Sequence, residues 1–285
     1  MSTVTTTTLS AEMKTFYDMR LIDEASPMLV HEQFGQKRPI PQGGGKTVNF
    51  RRFSPLAKAT TALTEGVTPS GSSLSVSSIS AIVAQYGDYV VQSDVLELTA
   101  VDNTILETTK LLGRQAGLTM DTIVRNALLL GTNKSYAPKY VADTNGNLVE
   151  TEVTKTADLD TSAKLTVDVV QRVVAKLRAQ NAPTIGGDYV CIIHPYVAYD
   201  LMRDPEWIDA HKYATPENLY TGEIGKMAGV RFVQSTEAKI DKGGSDNPSG
   251  LAVFHCFFIG DGAYGVTEVT GGGLQTIVKQ KGSSG

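Results

Sequence analysis

The sequence predicts a mixed α+β protein in which helix and strand are segregated. Three observations point there. Residues 104–131 (TILETTKLLGRQAGLTMDTIVRNALLLG) carry the longest helical pattern in the chain. Two extended runs, 47–53 and from 74 to about 91, flank a Thr-, Gly- and Ser-rich stretch. Helix and strand patterns after residue 165 follow one another without a regular βαβ rhythm.

The long helix rests on Ile105, Leu112, Ala116, Ile123, Ala127 and Leu130, with Thr108, Thr109 and Thr119 at the missing steps. Gaps of three and four mark one face of a 3.6-residue period. Thr104 with Glu107 reads as a capping box, Asn103 is a competing N-cap, and Gly131 is a plausible stop. Gly113 and Gly117, one turn apart, each cost about 1 kcal/mol against Ala. They leave a narrow side where another backbone could approach closely.

From the start of the chain, residues 1–9 are a Thr-rich tail with no reason to order alone. Ser10 caps a short amphipathic helix with Met13, Phe16, Tyr17 and Leu21 on one side. Leu29, Val30 and Phe34 follow in a stretch broken by prolines. This arm wants a partner surface and is too broken to build its own core. Residues 47–53 (TVNFRRF) and the run from Leu74 read as two strands, and LTEGVTPSGSS lies between them. So long a connection is unusual inside a compact domain, so it is expected to form the tip of a projecting two-stranded arm. An isolated ribbon is marginal in water and exposes two edges. The chain is therefore expected to complete its burial on further copies of itself.

Residues 94–100 read as a short helical turn capped by Asp94 and Glu97. After the long helix, YVADTNGNLVET carries Asn145-Gly146, a tight-turn dipeptide. A second module begins near Leu165. Thr166 caps VDVVQRVVAKLRAQN, which Pro183 ends, and YVCII at 189–193 reads as a buried strand. Pro195, Pro205 and Pro216 open short helices, and VRFVQ at 230–234 is a strand. Residues 241–250 read as a surface loop, and LAVFHCFFI at 251–259 as a strand buried on both faces that rejoins the first module's sheet. Residues 266–270 and 274–280 are further strands.

At 285 residues with 41% hydrophobic and 20% charged residues, the chain can bury a large core in one or two domains. A net charge of −4 gives no basic footprint for nucleic acid. No apolar run reaches membrane-spanning length, and the N-terminal residues lack a secretory pattern. The two cysteines, Cys191 and Cys256, read as buried free thiols.

No constellation of catalytic residues stands out, and no cofactor or metal is expected. Gly43-Gly44-Gly45-Lys46-Thr47 resembles the end of a phosphate loop, but Ile40 stands where a glycine is needed and a strand pattern follows. A flexible hinge at the base of the arm is the better reading. His31, His194, His211 and His255 show no helical ligand spacing, and His255-Cys256 in a strand would point to opposite faces. Arg51 and Arg52 are either a solvated charge pair or partners for acids on a second copy, such as Glu65.

The same stretches carry a family resemblance. LVHEQFGQKRPIP at 29–41, KTVNFRRFSPL at 46–56, LTEGVTP at 63–69 and QYGDYV at 85–90 resemble the major capsid proteins of the N4-like tailed-phage family. YVCIIHP at 189–195, GEIGKMAGVRFV at 222–233 and IGDGAYG at 259–265 continue the likeness in order. The resemblance implies the Hong Kong 97-like capsid fold. It places an N-terminal arm at 1–40, an extended β-hairpin loop at 41–92, a peripheral domain with a long spine helix at 93–160 and 251–285, and an axial domain at 161–250. Family members continue past the final GSSG with another apolar strand; where that strand is missing, the peripheral sheet keeps an open edge.

The resemblance further implies a non-enzymatic shell protein. Its copies would form pentamers and hexamers that close into the icosahedral head of a tailed phage around double-stranded DNA, with no sequence-specific DNA contact and no membrane. Expected partners are the chain itself, a portal, a decoration protein and a scaffolding protein, the last expected to be separate because no long scaffold-like region precedes the arm. Assembly is expected in the host bacterial cytoplasm and residence in the virion. Suspected inter-subunit contacts are Phe16, Tyr17, Leu29, Phe34, Arg51, Arg52, Leu63 and Glu65, and the close-packing side of the spine helix is Gly113 and Gly117. The shell of an encapsulin-type nanocompartment, enclosing protein cargo, is the alternative.

Overall fold

The computed structural model describes residues 11–68, 71–92, 103–211, 223–243, 250–270 and 273–274. The tail at 1–9, the expected helix cap Ser10, the turn at 94–100, the helix expected at Pro216 and the strand expected after Leu274 lie outside the described residues. The helices are α1 (Ala11–Ala25), α2 (Thr104–Leu129), α3 (Val167–Ala179), α4 (Pro195–Met202) and α5 (Pro205–His211). The strands are β1 (Gln36–Lys37), β2 (Thr47–Phe53), β3 (Val76–Ile82), β4 (Lys139–Ala142), β5 (Leu148–Thr151) and β6 (Tyr189–Ile193). They continue with β7 (Glu223–Met227), β8 (Val230–Gln234), β9 (Ile240–Asp241), β10 (Val253–Phe254), β11 (Phe257–Ile259) and β12 (Gly265–Val266). The chain forms two compact units, one of residues 1–36, 88–264 and 274–285, the other of 37–87 and 265–273.

The larger unit holds the main core, built on a four-stranded sheet of order β11-β6-β8-β7. β6 and β8 are parallel, while β11 and β7 run antiparallel to their neighbours. All five residues of β6 are buried, because both faces of the sheet are covered. Tyr189, Cys191, Ile193, Val230 and Phe232 face one apolar layer, with Val167, Val170 and Val174 of α3 and Val197, Ala198 and Leu201 of α4. Trp207 of α5 meets Phe232 edge-on, with ring centroids 5.4 Å apart. Val190, Ile192, Val233 and Ile259 face the other layer, where Phe34 joins them. Each such side chain, fully buried, contributes about 1.5–3 kcal/mol.

Local chemistry sets most element ends. Thr166 caps α3 by accepting from the Val169 amide. α3 stops before Pro183, because Asn181 adopts a left-handed φ of 53°. Pro195 opens α4 behind His194, whose ring accepts from the Tyr196 amide. At the start of α2 the competing cap prevails: the Asn103 side chain accepts from the Leu106 amide, and Thr104 is the first helical residue.

Four expectations are corrected. The buried line of α2 is not its apolar set but Thr109, Gly113, Gly117 and Asp121. Ile105, Leu112, Ala116 and Ile123 are half-buried, and Ala127 and Leu130 are exposed. α1 lies close along the small residues, and only a side without bulk admits it. The second extended run forms a strand only over Val76–Ile82. The Asn145-Gly146 turn is a wider loop, in which Asp143 Oδ1 accepts from the amides of Asn145 and Asn147, each at 2.8 Å. Residues 251–259 hold two short strands, half-buried except at Ile259: β10 pairs with β9, and β11 pairs with β6 in the sheet that also holds β8. β7, which no apolar alternation announced, closes that sheet's far edge with an irregularity between Glu223 and Gly225.

Candidate functional site

The smaller unit is a ribbon with a fixed base. β2 and β3 pair antiparallel over seven positions, from Thr47 opposite Ile82 to Phe53 opposite Val76. The Ser54 amide donates to the Ser75 carbonyl beyond one end, and the Val83 amide to the Lys46 carbonyl beyond the other. At the base, Val48 is buried, and Phe50 lies directly against Gly265, where any side chain would collide with its ring. Arg38 donates from Nη1 to the Asn49 carbonyl at 2.8 Å. The Ile40 amide donates to Glu268 O at 2.7 Å, and the Thr270 amide to Ile40 O at 2.8 Å. Gly43 and Gly45 take φ values of 79° and 85° in the turn leading into β2. A strand, not a helix, follows Lys46, so the glycine run has no helix N-terminus with which to hold a phosphate.

Outside these contacts the ribbon is apolar and exposed, along β3 as well as in the connecting loop. Ile79 and Ile82 on β3 are 67% and 75% exposed, and Leu63 in the connecting loop is 76% exposed. Phe53, Leu56, Val67 and Leu74 add to this surface. Neighbouring positions of a strand face opposite ways, so Arg51, opposite Ser78, and Arg52, opposite Ser77, lie on different faces. Both arginines and Glu65 are exposed.

In the larger unit the predicted arm residues separate. Phe16 is exposed on α1, Leu29 is half-buried, and Phe34 is buried in the core beside Val190 and Ile192. The Tyr17 side chain lies outside the described set. Phe34 therefore offers little surface to a second copy. Gly113 and Gly117 face α1: a Cβ on Gly113 would sit 2.8 Å from Leu21 O, and one on Gly117 2.6 Å from Ala25 O. A second ribbon, β4–β5, exposes Val141, Leu148 and Val149 and is tied to α3 by Glu150, which accepts from Nη1 and Nη2 of Arg172. Arg172 also meets Asp168 at 2.7 Å.

Sequence reasoning missed one polar feature. The His31 amide donates to Asp121 Oδ1 at 2.6 Å, and His31 Nδ1 lies 2.7 Å from Oδ2, both residues fully buried. The four-residue spacing of Thr109, Gly113, Gly117 and Asp121 was the available signal. Among the described residues no group of three His, Cys, Asp or Glu side chains could hold a metal ion, and no helix is long and apolar enough to cross a membrane. Burial pushes the Cys191 thiol up, Cys256 up to about 12, and His194 down.

No curated protein sequence matches the chain. Among solved structures, the capsid of Ralstonia phage GP4 is similar at 17% identity and a TM-score of 0.60, over 81% of this chain and 73% of that one. The capsid structure of the cyanophage P-SCSP1u is similar at 15% identity and a TM-score of 0.52, over 76% of this chain and 67% of that one. Likeness at these identities concerns the fold. The family model described as phage capsid protein matches residues 76–281, well over half of the sequence, and the chain therefore belongs to the family of phage capsid proteins.

Proposed function

We propose that this protein is the major capsid protein of a tailed bacteriophage, with the Hong Kong 97-like fold. Its copies assemble through pentamers and hexamers into the icosahedral shell around the double-stranded DNA. In this reading 1–40 is the arm, 41–92 the extended loop, 93–160 with 251–285 the peripheral domain, and 161–250 the axial domain. The role is structural, not enzymatic, and the protein resides in the virion after assembly in the host cytoplasm. Portal, a separate scaffolding protein and a decoration protein are its partners, and DNA is enclosed without sequence-specific contact.

The exposed apolar surface of the β2–β3 ribbon carries this reading. Left in water, that surface is a liability; placed over neighbouring copies it becomes interface core. Phe16, Tyr17, Leu29, Arg51, Arg52, Leu63 and Glu65 are the proposed contacts. Many modest interfaces of this kind, closed by symmetry, stabilise a shell together.

The test is light scattering with negative-stain microscopy on the protein expressed alone and with residues 60–73 deleted. Closed particles or ring-like capsomers from the intact chain, and soluble capsomers without closed shells from the deletion, are expected. A stable monomer or dimer from the intact chain, with or without scaffold, would overturn the reading. Shells isolated from infected cells with protein cargo and no DNA would favour the nanocompartment.

A further inference from the structure

We propose that α1 and the turn up to Val30 form a strap that releases from α2 as one cooperative unit, with the buried His31–Asp121 pair as its latch. The floor of α2 beneath the strap has a regular step. Gly113, Gly117 and Asp121 follow one another four residues apart, all buried. The strap meets them in order: Leu21 O over Gly113, Ala25 O over Gly117, then the His31 amide and ring on Asp121. Two backbone contacts in a glycine groove and one polar clasp thus hold α1 down. Arg114 adds an ion pair to Glu24 at 3.0 Å from the rim.

Among the described residues the strap's other support lies at its end, where Val30 packs against the layer of Val190 and Ile192. α1 packs chiefly on α2 and on the 3-10 turn Ser26–Met28. Residues 11–34 pair with no strand, and Met19 and Ile22 on α1 are exposed. Immediately beyond the clasp the chain changes character, because Phe34 is embedded in the apolar layer on one face of the main sheet. A segment held chiefly along one helix, ending at a deeply buried anchor, has the properties of a unit that opens below the global unfolding free energy.

The clasp gives that opening its sharpness. Asp121 takes both the amide and the ring of His31, and the Tyr264 hydroxyl donates to the His31 carbonyl. Phe257 stands edge-on to the imidazole at 5.6 Å. His31 Nε2 is buried with no hydrogen-bond partner among the described residues. The imidazole is therefore held from one side only, through Asp121. A buried polar pair of this kind is all-or-none, since removing one member strands the other in a fully buried site.

Hydrogen exchange by mass spectrometry on the full chain tests the proposal, with wild type, Asp121→Asn and Tyr264→Phe compared in matched oligomeric fractions. In Asp121→Asn, amides of residues 16–30 should exchange at least tenfold faster, while those of β6 and β8 keep their wild-type protection. Tyr264→Phe should shift the same residues in the same direction by less. A uniform acceleration through strap and sheet would overturn the proposal, since the clasp would then be a general stabiliser. Unchanged exchange in Asp121→Asn would overturn it by assigning the hold to the glycine groove alone. Failure of Asp121→Asn to fold would overturn it too, since a separable strap leaves the core standing.

Discussion

The carbonyl oxygen of Ala25 occupies the space that a side chain on Gly117 would need, 2.6 Å from the Cβ position. The obstacle is backbone and cannot rotate away. Gly117→Ala should therefore destabilise the protein by roughly 1–3 kcal/mol from overpacking, less the roughly 1 kcal/mol that Ala contributes to a helix interior. The steric cost wins, and a lowered melting temperature is the readout. Gly117→Leu should lower it further and disturb assembly. Equal or higher melting temperatures in both variants would mean that α1 does not lie along this side of the helix.

Ile79 and Ile82 separate stability from assembly. Each is mostly exposed, so replacement by Asp should change unfolding free energy by no more than about 0.5 kcal/mol. The double variant should nevertheless fail to form shells, because each carboxylate would have to be desolvated in the interface. Wild-type particles from a normally folded double variant would remove this part of the ribbon from the contact surface.

The β4–β5 ribbon should loosen in acid. Glu150 is held below the ordinary carboxyl range, first by its hydrogen bonds to Arg172 and then by the charge of that guanidinium. A carboxyl depressed on folding contributes its stabilisation in full above its ordinary value of 4.5 and loses it as pH falls through the folded value. Exchange of amides in residues 139–151 should accelerate below that pH, and at neutral pH in Arg172→Met. The same exchange in both proteins across the pH series would show that the ion pair does not hold the ribbon.

The two thiols should be inert in the folded protein. Cys191 is fully buried and its thiol is raised well above the ordinary value, and the half-buried Cys256 is raised to about 12, so neither forms thiolate near neutral pH. An aromatic disulfide reagent at pH 8 should label neither in the native state and both in guanidinium. Rapid native labelling of Cys191 would mean that β6 opens readily, and of Cys256 that its half-buried thiol is accessible as it stands.

Much of the fold was legible because it is local. β2, β6 and β8 run where alternation or an unbroken apolar run placed them, and α3 and α4 begin at the expected Thr166 cap and at Pro195. These signals are written within a few residues: a capping oxygen, a fixed φ, a period of two. The exposed ribbon was legible for the same reason, since its length and composition left nothing nearby to cover it. Which candidate caps α2 was less legible, because Asn103 and Thr104 offer similar side chains and only backbone geometry chooses between them.

By itself, the sequence determined where most helices and strands lie and that the chain carries a long two-stranded ribbon. Tertiary structure alone decided which side of α2 is buried, how His31 finds Asp121 across ninety positions, and that β11 joins β6. The reason is physical. Periodicity reports how apolar a helix face is, but close approach depends on what is missing from a face, and only the partner backbone at Leu21 and Ala25 gives the absent side chains of Gly113 and Gly117 a consequence.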